Sequence, residues 1–165
     1  MLTPKNVRIV KKVNEFSFPT DSQFKVKIAF LPKDEWKKIV EDHTFSGWKN
    51  GKQVDKLDEE PFYAEFAKKT ILGWSGLTVK TLKKIAPVQF DADVKDPDVI
   101  EYSQEWAQFL LIQSTEFDQW VTGIQNHLEA FDSEQKEAAE KNSSNTPIEK
   151  LKESESGMPE KIKEP

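Results

Sequence analysis

The sequence predicts an α+β fold, mainly α, in which an N-terminal β-hairpin precedes a small bundle of four to five helices and a disordered C-terminal tail. Three observations predict it. "FKVKIAF" alternates Phe24, Val26, Ile28 and Phe30 with Lys25, Lys27 and Ala29, the period of two of a half-buried strand. From Pro32 to Phe131, apolar side chains recur at three- and four-residue spacings, as on a helix with one buried face. From Asp132 to Pro165 there is no aromatic residue, and Glu, Lys, Ser, Asn and Pro dominate, which leaves too little apolar surface to offset chain entropy.

In chain order, "VRIVKKV" is rich in β-formers and "FSFPTDSQF" carries the turn residues Pro19, Thr20, Asp21 and Ser22. With "FKVKIAF" these make a hairpin over about residues 6–31. Two strands rarely persist alone in water, so the hairpin must pack on helices or join another sheet. "PKDEWKKIVEDHTF" starts a helix, with Pro32, Asp34 and Glu35 suited to its N-terminus and Trp36, Ile39, Val40 and His43 on one face. "FSGWKNGKQ", with two glycines and Asn50, reads as a loop. The next helix runs from about Leu57 or Pro61 to Leu72, with Phe62, Tyr63, Phe66, Ala67, Thr70, Ile71 and Trp74 on a wide apolar stripe.

At "LGWSGL" the expectation is a corner. Gly73 ends the helix as a left-handed cap, Trp74 folds back on the helix end, and Gly76 permits the next turn. The competing reading is that Trp74 is presented to a partner. "TVKTLKKIA" gives a short helix closed by Pro87, with Val79, Leu82 and Ile85 inward. The acidic "VQFDADVKDPDVIEY" is a long connector leading to Ser103, a helix cap. Trp106, Phe109 and Leu110 share the face of one further helix. Phe117, Trp120, Val121, Ile124, Leu128 and Phe131 share that of another; the two are separate helices broken at Ser114-Thr115 or, on the alternative reading, one long helix running through that pair. The domain reading is one globular domain over residues 1–131, with the hairpin at 6–31 and the helical part at 32–131, and a flexible charged tail over 132–165.

Composition narrows the function. Eleven Phe and five Trp among 165 residues supply a sizeable core, and a net charge of −5 disfavours nucleic acid as a partner. The absence of cysteine removes disulfides and thiolate metal sites. No apolar run approaches the roughly 20 residues that span a bilayer, and the N-terminus lacks a signal-peptide core, so the expected setting is cytosolic, away from membranes. His43 and His127 both read as helix-end residues. Asp91, Asp93, Asp96 and Asp98 lack the glycine turn and terminal glutamate of a calcium loop. Ser75 lacks the flanking glycines of a nucleophile elbow, because Gly76 follows it immediately. The expectation is therefore no enzyme, no cofactor and no metal.

Several segments together resemble the tail assembly chaperones of long-tailed (siphovirus-like) bacteriophages: "FKVKIAFLPKDEW", a helix ending in "ILGWSGL", "IEYSQEWAQFLLIQS" and "FDQWVTGIQNHLEAF". The matching positions are Trp74 and Gly76; Tyr102, Ser103, Glu105, Ala107, Leu110 and Leu111; and Phe117, Asp118, Trp120 and Val121. The likeness covers roughly Phe24 to Phe131, and the connector departs from it, with Asp96-Pro97-Asp98 where a glycine turn often stands. The resemblance implies a non-catalytic protein of the host cytoplasm that binds and solubilises the tape measure protein before the tail tube polymerises. Further candidate partners are the tail tube protein and a second copy of the chain. Expected partner-binding residues are Trp74, Gly76, Trp106, Leu110 and Trp120. The alternative is a structural or adaptor protein of the tail that stays in the virion.

Overall fold

A computed structural model describes residues 4–132. Contacts divide the chain into units Met1–Glu134 and Gln135–Pro165, and the description falls within the first. The expected tail, beyond Asp132, lies outside the described residues.

The N-terminal sheet begins where hydrophobic alternation and turn chemistry coincide. Strand β1 (Val13–Phe18) and strand β2 (Asp21–Ala29) form an antiparallel hairpin through Pro19-Thr20. Phe24, Val26 and Ile28 are fully buried on one face, whereas Lys25 and Lys27 are exposed on the other. The first strand is not the expected "VRIVKKV" but "VNEFSF", so "FSF" belongs to β1 rather than to the turn and residues 7–12 form no strand. The last rung of β1 joins the Phe30 amide to the Lys12 carbonyl (2.8 Å), and the partner strand then reaches Pro32, which has no amide to donate. Val7, Ile9 and Val10 remain exposed.

Helix α1 (Lys33–Asp42) leads into strands β3 (Thr44–Lys49) and β4 (Lys52–Leu57), a second antiparallel hairpin where the sequence reading placed a loop. Asn50 and Gly51 both have positive φ (52° and 73°), the primed turn that two-residue hairpins require. The Asn-Gly pair is a hairpin signal, but Phe45 and Trp48 beside it do not alternate as strand residues do.

Helix α2 (Glu59–Thr70) passes directly into strand β5 (Ile71–Ser75), which pairs antiparallel with β2 to give the sheet order β1-β2-β5. This overturns the expected architecture. The fold is not mainly α, since strands take 27% and helices 44% of the described residues, and its N-terminal hairpin is not simply followed by a helical bundle. The open edge of β2 needed a partner, and β-prone "ILGWS" pairs there rather than capping α2. Gly73 is accordingly not a left-handed cap; the positive φ (74°) belongs to Gly76.

Helix α3 (Val79–Ile85), α4 (Gln104–Gln113) and α5 (Thr115–Gln125) follow, capped by Thr78, Ser103 and Ser114, whose hydroxyls accept from Thr81, Trp106 and Phe117 amides. Ser114 both ends α4 and caps α5, so the two-helix reading of this stretch matches the structure. The core lies between the inner face of the β1-β2-β5 sheet and the helices. The chain then returns to the sheet. Gln125 donates to the Ala29 carbonyl and accepts from the Leu31 amide, both at 2.8 Å. A short 3-10 turn (Leu128–Phe131) sets Phe131 against Phe16 and Phe30.

Candidate functional site

Three places on the molecule could meet a ligand or partner: the Trp74 corner, a cleft beside α2 and the second hairpin. At the corner, Trp74 lies opposite Val26 on β5, and its ring meets Phe24 and Tyr102 edge-on, with centroids 6.0 and 5.0 Å away. Its indole N–H donates to the Ile100 carbonyl (3.0 Å), and Tyr102 donates to the Ile71 carbonyl (2.6 Å). Burial pushes the Tyr102 phenol up from its ordinary value. The connector is bound on its other side, where the Val79 and Ile100 amides reach the Asp98 and Leu77 carbonyls (2.9 and 2.8 Å). Trp74 therefore clips the acidic connector to the sheet. Gly76 sits where an added Cβ would come within 2.0 Å of the Gln23 carbonyl oxygen.

The other expected contact residues separate. Leu110 is fully buried and Trp106 half-buried against Phe109. Trp120 is half-buried edge-on to Phe18 (5.0 Å) and beside Phe117, which stacks on Phe24. Trp120 and Trp74 thus flank one aromatic cluster, and Trp106 lies on another ring pair.

The cleft, of about 840 Å³, is formed where the end of β2, the start of α1 and one flank of α2 meet the extended N-terminal segment. Ile9, Phe30, Leu31, Pro32, Pro61 and Ala64 supply its apolar lining, and charged groups rim it. A second hollow of about 430 Å³ shares Phe30 and Leu31 and extends toward Trp36 and Thr122. Part of the rim is ion-paired: Lys69 lies 3.4 Å from Glu35 and 3.6 Å from Glu65. His43 Nε2 stands 2.9 Å from Glu65 Oε2, and this hydrogen bond holds the Glu65 carboxyl below its ordinary value despite some burial.

Among the acidic positions, Lys83 binds Asp96 at 2.7 Å and the Asp98 carboxylate accepts from the Lys95 amide. No group of three or more potential metal ligands occurs among the described residues. No helix among them is long and apolar enough to cross a membrane. Asp118 is different. Burial raises its carboxyl above the ordinary 3.8, and a hydrogen bond with Tyr63 offsets this only in part. A carboxyl whose folded pKa is raised costs stability above that pKa, and the cost vanishes as pH falls to the unfolded value. Asp118→Asn should therefore raise the melting temperature at pH 7. The advantage over the native chain should shrink on acidification and be gone below about pH 3.8 in a melting series.

The β3–β4 hairpin is the exposed feature that the sequence reading missed. Residues 44, 46 and 48 share one face with 53, 55 and 57, and Phe45, Gly47 and Lys49 share the other with Lys52, Val54 and Lys56. Trp48 is 77% exposed and Phe45 53% exposed. Two strands make up this sheet among the described residues, and there each has one edge without a strand partner.

Comparison with protein-family models, curated proteins and solved structures yields no match to this chain.

Proposed function

We propose that this chain is a phage tail assembly chaperone that binds the tape measure protein in the host cytoplasm, holds it soluble and performs no catalysis. The observation that carries the reading is the apolar cleft beside α2, with its continuation past Phe30 and Leu31. An amphipathic helix is about 10–12 Å across with its side chains, and such a helix buries its apolar stripe in an open trough of this kind. Alternating Lys68, Lys69, Glu35 and Glu65 on the rim match the mixed charges of a helix's polar flanks. Lys69, Glu35 and Glu65 of the rim are engaged in ion pairs of their own, which suits a surface that excludes water around an apolar guest better than one that orients a small polar ligand. The sequence resemblance supplies the identity of the guest.

Ala64→Trp tests the reading, because Ala64 lies half-buried on the cleft side of a regular helix and the indole would fill the trough. Binding of amphipathic segments of the tape measure protein, followed by fluorescence anisotropy, should weaken at least about tenfold, or 1.4 kcal/mol. Circular dichroism should show an unchanged fold. Undiminished binding would remove the cleft from the argument, and recovery of the chain at tail-subunit stoichiometry in mature particles would replace the chaperone reading with the virion adaptor.

A further inference from the structure

We infer that β3 is an association edge through which two copies of this chain join their β3–β4 hairpins into one four-stranded antiparallel sheet. The starting point is an incomplete structure. A two-stranded hairpin is marginal in water, and this one keeps Trp48 and Phe45 exposed and, among the described residues, has no further strand on either side.

The choice of edge follows from register. The two-residue turn makes Lys49 and Lys52 the first hydrogen-bonded pair. By alternation, the backbone amides and carbonyls of Thr44, Ser46 and Trp48 point away from β4. Antiparallel self-pairing centred on Ser46 matches these groups with their own copies: Ser46 faces Ser46 and Trp48 faces Thr44 of the second copy. Phe45 then lies across from Gly47 of the second copy, which has no side chain to obstruct the ring. The β4 edge is a poor alternative. Full-overlap self-pairing there centres on Asp55 and sets two carboxylates directly opposite each other.

Charge points the same way. The tip of the hairpin carries Lys49 and Lys52, whereas at its base Asp42 stands two residues before β3 and Asp58, Glu59 and Glu60 follow β4, outweighing the cation there, Lys56. Tip and base are about 17 Å apart along an extended strand. An antiparallel partner therefore brings each cationic tip to the other copy's acidic base, and the arrangement is self-complementary about a two-fold axis. The same acidic base would repel a phosphate backbone, which disfavours nucleic acid on this ribbon. A contact of this size belongs to the weak, reversible class of interfaces.

The test uses the full chain and two variants that leave the core untouched, read by sedimentation velocity up to about 0.2 mM, a range suited to weak contacts. The native chain should form dimers reversibly. The tip variant Lys49→Glu/Lys52→Glu and the base variant Asp42→Lys/Asp58→Lys should each self-associate at least about tenfold more weakly. An equimolar mixture of the two should recover dimers, because each reversed tip then meets a reversed base. A monomeric native chain, a dimer indifferent to both variants, or a mixture no better than its components would each overturn the inference. None of these outcomes depends on the cleft beside α2, so the tape measure reading stands or falls separately.

Discussion

Gly76→Ala should destabilise the protein by about 3–4 kcal/mol, measured as a lowered urea midpoint for the full chain. Two costs combine. The residue holds φ at 74°, where an L side chain is strained, and an added Cβ would lie 2.0 Å from the Gln23 carbonyl oxygen and 2.7 Å from its carbon. Neither contact is with a flexible side chain, so β2 and the chain leaving β5 would have to separate. Gly73→Ala is the matched control. No atom lies within 4 Å of its added Cβ and its φ is not positive, so its effect should stay within about 0.5 kcal/mol. Equal losses at both glycines would show that the chain after β5 is not built against β2 as described.

Phe24→Ala should cost about 3–5 kcal/mol, toward the upper end of that range. Phe24 is fully buried, stacks on Phe117 at 6.0 Å, and meets Phe18 and Trp74 at 5.5 and 6.0 Å. Its neighbours are rings with few rotamers, so the cavity left by truncation cannot collapse well. The same change removes one wall of the Trp74 pocket, and near-ultraviolet circular dichroism should lose aromatic signal along with stability. A loss below about 1.5 kcal/mol, the size of a volume-conserving swap, would contradict the central position given to Phe24.

Most helices and the first hairpin were legible because their signals are local. Alternation in "FKVKIAF", capping by Ser103 and Ser114, and the stripe through Phe62 and Phe66 each need only a few neighbouring residues. The Asn50-Gly51 turn is local too, yet Phe45 and Trp48 of the strand before it lie three residues apart on opposite faces, so β3 lacks the alternation that marks a strand. Ile71 to Ser75 was illegible for another reason. Its apolar residues continue the helical stripe of α2, and only the unpaired edge of β2, more than forty residues earlier, makes a strand the better conformation.

The candidate sites divide in the same way. Aromatic abundance marked Trp74, Trp106 and Trp120 as notable, but spacing cannot distinguish a side chain that seals a corner from one that waits for a partner. Tertiary contacts make that distinction by giving the Trp74 indole N–H to the Ile100 carbonyl and leaving Trp48 in water. What the amino-acid sequence determined by itself was the set of periodic segments, their caps and turns, and the apolar surface available for a core. Which segments became neighbours, and hence which apolar surface stayed uncovered, was decided only on folding. Burial and strand pairing are properties of pairs of segments, and their free energy is absent until both members meet.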